Sequence, residues 1–246
     1  MWTLQGQQAQ LQTSNFSGTL DLGVPEAGLH QLCFSEQPLA AVGLLGVSLA
    51  QKLIDVSQIK NHYTRDNCLV ASYGDVQKTD CHAQLQWRCI DPQPGLWLRG
   101  LELIISFEAP LLTRLPEWKT TSEIAEQLIF SPVDDDAQKW NPIDQNGNGH
   151  SPDENRYKMI LCRFPEQKLS YLEMVHCQQP CLTVFPTAPH SASEITRWGM
   201  QMSADHLEKG VILRRVLRGL FLPLEEDEAL ARKAYQHFST VAPPLN

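Results

Sequence analysis

The chain has 246 residues, 42% of them hydrophobic and 20% charged, with a net charge of −8 at pH 7. That is enough apolar material for a substantial core, and the acidic balance argues against a nucleic-acid partner, whose phosphates need a basic surface. No apolar run approaches the roughly 18 residues that a membrane helix requires, the longest weakly polar stretch being residues 39–50, rich in Gly and Ala.

Taken in chain order, the predicted elements are short strand-like runs bounded by Gly, Pro, Asn and Asp. Residues 7–13 alternate between polar and apolar, and residues 16–22 and 29–35 are enclosed by turn residues. Residues 68–73 follow an Asp-Asn pair. Residues 81–89 (CHAQLQWRC) carry the clearest signal, because successive side chains of a strand point to opposite faces. Cys81, Ala83, Leu85, Trp87 and Cys89 form a face suited to packing, so Trp87 is expected in the core. His82, Gln84, Gln86 and Arg88 form the other, a row of hydrogen-bonding groups that suits a sugar or another polyhydroxylated ligand, or simply water. Residues 96–107 read as a long strand with Gly100 as a bulge. Further strands are expected at 157–164, 169–177, 182–186 and 210–222. A single long helix follows at 225–240, acidic at its start, where the helix dipole is positive. Leu230, Ala234, Tyr235 and Phe238 would form its buried stripe. Many strands with one late helix read as an antiparallel β domain.

Residues 131–155 break this pattern with SPVDDDAQKWNPIDQNGNGHSPDEN, a long polar insertion loop. Asp144, Asn146, Asn148 and Gly149 match the first half of an EF-hand loop, but its closing position is Asn155, with Glu154 one residue early. An EF-hand is therefore rejected. A looser calcium site would draw on Asp134, Asp135, Asp136, Asp144 or Asp153; turn chemistry explains the segment better. Seven cysteines with no C-x-x-C pair, and an N-terminus without a basic segment leading into an apolar one, point to reduced thiols in the cytoplasm. His176, Cys177 and Cys181 fit no standard zinc spacing, so no metal or other cofactor is expected. Arg214, Arg215 and Arg218 suit an anionic group or pairing with Glu208, Glu225 and Glu226. No nucleophile elbow, P-loop or dinucleotide fingerprint is present.

Three segments, HYTRDNCLVASYGD (62–75) leading into CHAQLQWR, GLWLRGLELIISFEAPLL (95–112) and LEKGVILRRVLRGLFLP (207–223), together resemble the galactose mutarotase-like β-supersandwich group, in particular its small bacterial members. The likeness lies in the look and order of the strands. It implies two large twisted antiparallel sheets with ligands on a concave sheet face, in a group that includes sugar epimerases, other sugar-processing enzymes and some polysaccharide lyases. Sugar-anomer enzymes of the group use histidine as acid and a carboxylate as base, in surroundings that are not found around His62, His82, His150 or His176, so no catalytic residue is carried over.

The expectation is an all-β, antiparallel two-sheet supersandwich with one C-terminal helix, residues 1–246 forming a single domain. It would bind a carbohydrate or related small molecule on its polar sheet face. If catalytic, it would be a mutarotase-like isomerase, with His82 paired to Glu102, Glu173 or His176 for proton transfer, and with Arg65, Gln84, Gln86, Arg88 and Arg214 orienting substrate oxygens. The alternative is a noncatalytic sugar-sensing or protein-interaction module. A lyase for acidic polysaccharide would need a basic cleft, against which the −8 charge counts. Neither nucleic acid nor membrane is expected as a partner, and the exposed sheet edges of such a fold leave room for a homodimer.

Overall fold

The strand His82–Ile90 shows the rule by which the chain folds. Ala83, Leu85, Trp87 and Cys89 are buried, and His82, Gln84, Gln86 and Arg88 are half-buried on the opposite face. The computed structural model describes residues 1–49, 59–74, 82–108, 113–114, 117–125, 129–132, 139–143, 156–185, 195–202, 206–208 and 211–241. Cys81 and most of 131–155, with every aspartate considered for calcium, lie outside the described residues. Within that segment Ser131 and Pro132 pair with Asn141 and Trp140 as an edge hairpin.

Among the described residues all the strand pairings are antiparallel. The largest sheet has nine strands in the order Trp140–Pro142, Ile129–Pro132, Met159–Phe164, Leu169–Val175, Ile212–Pro223, Arg99–Glu108, His82–Ile90, Cys68–Tyr73 and Ile59–Arg65. Two five-stranded sheets form the opposing layer. One joins Trp2–Gln5, Gln8–Gln12, Phe16–Asp21, His30–Phe34 and Gln37–Pro38; the other joins Arg156–Tyr157, Leu182–Phe185, Ile195–Met202, Trp118–Ala125 and Ala41–Leu49. A two-stranded ribbon pairs Thr113–Arg114 with His206–Leu207. The layers meet in one apolar core. Phe16 stacks on Phe221 at 4.9 Å between ring centroids and Phe107 on Trp118 at 5.1 Å. Trp87 is in this core as expected, its indole N–H donating 3.1 Å to the Leu45 carbonyl of the opposing layer. This is the all-β supersandwich, with one C-terminal α-helix, Asp227–Thr240.

Three elements depart from expectation for local reasons. The long strand begins at Arg99, not Leu96, because Pro92, Pro94 and Gly95 (φ +77°) turn the chain and the Leu96 and Trp97 amides close onto the Gln93 carbonyl at 3.0 and 3.1 Å. Gly100 makes no bulge, since its ladders to both neighbours run without a register shift. A Cβ there would stand 2.7 Å from Leu220 Cδ2 and 2.9 Å from Ile90 Cβ, so the glycine serves close packing. The run 157–164 splits in two. Arg156–Tyr157 pairs with Thr183 and Leu182 in one layer, and Met159–Phe164 pairs with Leu169–Val175 in the other.

The helix lies on the outer face of the nine-stranded sheet, where Leu230, Ala231, Ala234 and Phe238 cover Leu172, Met174, Leu220 and Leu222. Tyr235, expected in that stripe, is only half-buried. Asp227 faces the sheet rather than solvent. It accepts from Arg163 Nε and Nη2 at 2.7 and 2.9 Å and from Ser170 Oγ at 2.6 Å. This paired guanidinium–carboxylate fork raises the pKa of Arg163, chiefly through its hydrogen bonds to Asp227. Arg163 also lies over Phe130, 4.5 Å from the ring centroid. Replacing Asp227 with Asn removes the paired carboxylate and leaves the partly buried guanidinium with Glu228 alone, 2.7 Å away, at an expected cost of about 2 kcal/mol. Urea unfolding followed by circular dichroism should show the midpoint fall by the corresponding amount.

Candidate functional site

The smaller sheet of residues 41–49, 118–125, 156–157, 182–185 and 195–202 carries an open cleft of about 670 Å³ on its outer side. The sequence WKTTSEIA explains the floor. Trp118, Thr120, Ser122 and Ile124 are buried toward the core, which leaves Lys119, Thr121 and Glu123 pointing outward. Register then aligns the neighbours, placing Glu123 opposite Arg197, Arg197 opposite Phe185, and Lys119 opposite Ser48. Arg197 Nε donates to Glu123 Oε1 at 2.7 Å, and Lys119 Nζ sits 5.5 Å from the Phe185 ring centroid.

The wall of the cleft is the segment 24–30, which brings in Glu26 and His30. Three glycines permit its close approach. A Cβ on Gly43 would lie 2.2 Å from the Ala27 carbonyl oxygen, one on Gly46 2.3 Å from that of Glu26, and one on Gly28 (φ +63°) 2.4 Å from that of Leu44. Leu29 and Leu44 seal the contact with reciprocal backbone hydrogen bonds of 2.8 and 2.9 Å. His30 Nδ1 lies 3.2 Å from the Gly28 carbonyl, which can only accept, so Nδ1 carries a proton and donates, and Nε2 is left for the cleft. The cleft therefore gathers an imidazole, two carboxylates and two cations around an aromatic ring.

A polar cluster lies directly beneath the floor. Glu173 Oε2 accepts from Ser122 Oγ at 2.5 Å and from Tyr171 Oη at 3.0 Å, and Ser122 Oγ in turn accepts from the Leu45 amide at 3.0 Å. Glu173 is wholly buried, and burial pushes its carboxyl from 4.5 up to about 7, with Ser122, Tyr171 and Trp198 offsetting part of the rise. The Trp198 indole N–H lies near enough to contribute yet outside hydrogen-bonding geometry. Both it and Glu173 Oε1 lack a partner among the described residues.

The residues expected to form the site occupy several places. Cross-strand register runs Arg65, Cys68, Arg88, Glu102, Arg218 and Met174 along one row of the outer face of the nine-stranded sheet. Arg88 and Arg218 both bind the buried Glu102 carboxylate, Arg218 at 2.6 Å, and Arg218 lies 4.3 Å from the Phe238 ring centroid. Gln84, Ser106 and Arg214 make a parallel row, with Arg214 Nε donating to Ser106 Oγ at 3.2 Å; Gln86 donates to Cys68 Sγ. His82 stands opposite Glu108, and burial lowers its pKa, with Glu108 opposing and Lys60 adding to the effect. These residues share a face. Arg65 is at its exposed margin beside Asp66, and His176 is buried past the end of its strand against Phe238. Glu173 points the other way, into the core. Among the described residues no group of three or more His, Cys, Asp or Glu is placed to hold a metal ion. None of the cleft residues stood out in the sequence. The alternation of 118–125, absent from the expected strands, is a signal that leads to the floor residues.

No family model matches the chain, and no curated protein matches it. Its fold does match solved structures. A candidate aldose 1-epimerase from Escherichia coli K12 superposes with a TM-score of 0.55 at 7% identity, over 86% of this chain and 97% of that one. A galactose mutarotase-related enzyme from Lactobacillus acidophilus gives 0.52 at 6% identity, over 90% and 97%. A candidate aldose 1-epimerase from Klebsiella pneumoniae gives 0.52 at 10% identity, over 96% and 86%. The chain has the galactose mutarotase-like fold that the sequence resemblance implied, and at these identities the likeness is one of fold.

The carboxyl beneath the cleft gives the molecule a measurable pH signature. Folding raises the pKa of Glu173 from 4.5 to about 7, so between those values the folded chain holds a proton that the unfolded chain has lost. Stability from this group is therefore present below the lower value and falls as pH rises to the upper one, by about 3 kcal/mol in all. The Glu173→Gln variant should lack this fall, and denaturant titrations of both proteins across the interval should diverge steadily.

Proposed function

We propose that the chain binds a carbohydrate or a related polyhydroxylated small molecule in the cleft over residues 119–123 and exchanges its anomers. The observation that carries this reading is the convergence of His30, Glu26, Glu123, Lys119 and Arg197 around Phe185 in one open cleft. Aromatic rings suit the apolar face of a sugar, and charged groups of both signs suit its hydroxyls. Ring opening needs a base for the anomeric hydroxyl proton and an acid for the ring oxygen. Glu26, as the carboxylate, would take the anomeric hydroxyl proton, and His30, carrying a second proton on Nε2, would give that proton to the ring oxygen. Arg197, already fixed by Glu123, and Lys119 would orient the remaining oxygens. The fold shared with candidate aldose 1-epimerases supports the reaction class.

A thermal-shift screen against neutral monosaccharides and uronic acids should give a rise for one class. Anomer exchange of that sugar, followed by magnetization-transfer NMR, should then fall more than about tenfold in Glu26→Gln and His30→Asn, with melting temperature unchanged. If His82→Ala and Arg88→Ala abolish the shift instead, the sugar lies on the outer face of the nine-stranded sheet. If no sugar raises stability and exchange stays at the buffer rate, the proposal is wrong.

A further inference from the structure

We infer that Glu173 is a proton-linked positioning residue of the cleft, its carboxyl determining how Ser122 and Leu45 hold the wall segment 24–30 over the floor. The inference rests on reading that cleft as the binding site. The path is short and continuous. Glu173 holds Ser122 at 2.5 Å, and Ser122 holds the Leu45 amide at 3.0 Å. Leu44, next in the chain, is locked to Leu29 of the wall by two backbone hydrogen bonds. Gly43 and Gly46, on either side, are the positions on which Ala27 and Glu26 rest. The strand Ala41–Leu49 loses register opposite Ser122, and Leu45 adopts a left-handed φ of +55° there. The wall is thus attached to an irregular stretch of strand, and a side chain from its neighbour strand holds that irregularity in place.

The groups that face Glu173 are few. Tyr171 comes from its own sheet, with the Cys162 thiol beside Tyr171 in turn, and the Ser122 hydroxyl and Trp198 indole from the opposing one. Glu123 and Arg197 are each one residue from those inward groups but line the cleft on the far side of the strand. In the neutral acid, Oε2 accepts from both hydroxyls and Oε1 can carry the proton in apolar surroundings. The carboxylate concentrates charge on a group with two hydroxyl donors, and Oε1 has no partner among the described residues. The nearest unspent donor is Trp198 Nε1, so the anion draws Trp198 inward. Trp198 directly follows Arg197, whose guanidinium is tied to Glu123 in the cleft. Loss of the proton therefore acts on the floor through Arg197 and on the wall through Leu45.

The test is amide hydrogen exchange read by NMR on the full chain without ligand, at about pH 6 and about pH 8, corrected for intrinsic exchange. In the wild type, protection of the Leu29, Leu44 and Leu45 amides should fall about fivefold or more at the higher pH, and the Trp198 indole resonance should titrate in the same interval. Glu173→Gln should show neither change. Trp198→Phe removes the donor that the anion recruits, so the midpoint of the amide transition should move to higher pH. Protection with the same pH dependence in the wild type and Glu173→Gln, or a midpoint unmoved in Trp198→Phe, overturns the inference. No sugar enters this experiment, so its failure and a failed sugar screen are separate results.

Discussion

Leu45 takes a left-handed backbone conformation that a leucine adopts only at a cost of roughly 1 kcal/mol or more, and it does so where its own strand slips register. Its amide and carbonyl then need partners that the β-ladder does not provide. Both come from side chains of other strands, Ser122 Oγ on the amide and Trp87 Nε1 on the carbonyl. Those two hydrogen bonds tie the edge strand Ala41–Leu49 to the strand beside it and to the sheet opposite. The cleft wall rests on the same stretch through Gly43, Gly46 and the Leu29–Leu44 pair. Core packing, sheet edge and cleft geometry therefore meet at one residue.

The two outer faces of the sandwich use their charged residues differently. On the nine-stranded sheet, Arg88 and Arg218 converge on a carboxylate that is itself buried, and the helix covers the adjoining apolar ground. Burying Glu102 without those guanidiniums would be expensive, so the triad secures the helix-bearing face. On the smaller sheet, the Arg197–Glu123 pair lies at the floor of an open cleft, with Lys119 and His30 nearby. There the cations and anions are partly solvated.

Much of the fold was legible in the sequence because period-two alternation is a local signal. Residues 68–73 were bounded as observed, Trp87 is in the core, and the helix was placed within two residues of its start. The resemblance carried by 62–75, 95–112 and 207–223 corresponds to the shared fold, and those segments supply strands of the large sheet from its middle to one edge. The cleft was not legible. Ala41–Leu49 is apolar on both faces and shows no alternation. Trp118–Ala125 does alternate, but its inward residues include Thr120 and Ser122, which a hydrophobic pattern does not pick out. Gly100 was misread because a glycine required by a neighbour's side chain looks, in sequence, like one required by a bulge.

The order of strands in the nine-stranded sheet has a consequence for how the molecule is made. Ile212–Pro223 lies near its middle, between Leu169–Val175 and Arg99–Glu108, yet it is the last of the nine in the chain. Without it, the other strands of this sheet fall into two groups, each with an edge of unpaired backbone groups on the side that this strand fills. Such long-range closure is slow and leaves edges exposed to aggregation. Closure of the large sheet therefore waits for this strand, and a chain that stops before residue 212 has an unpaired edge in the middle of the sheet. The polar residues that interrupt Ile212–Pro223, Arg214, Arg215 and Arg218, help keep that late strand from pairing with its copies before it is inserted.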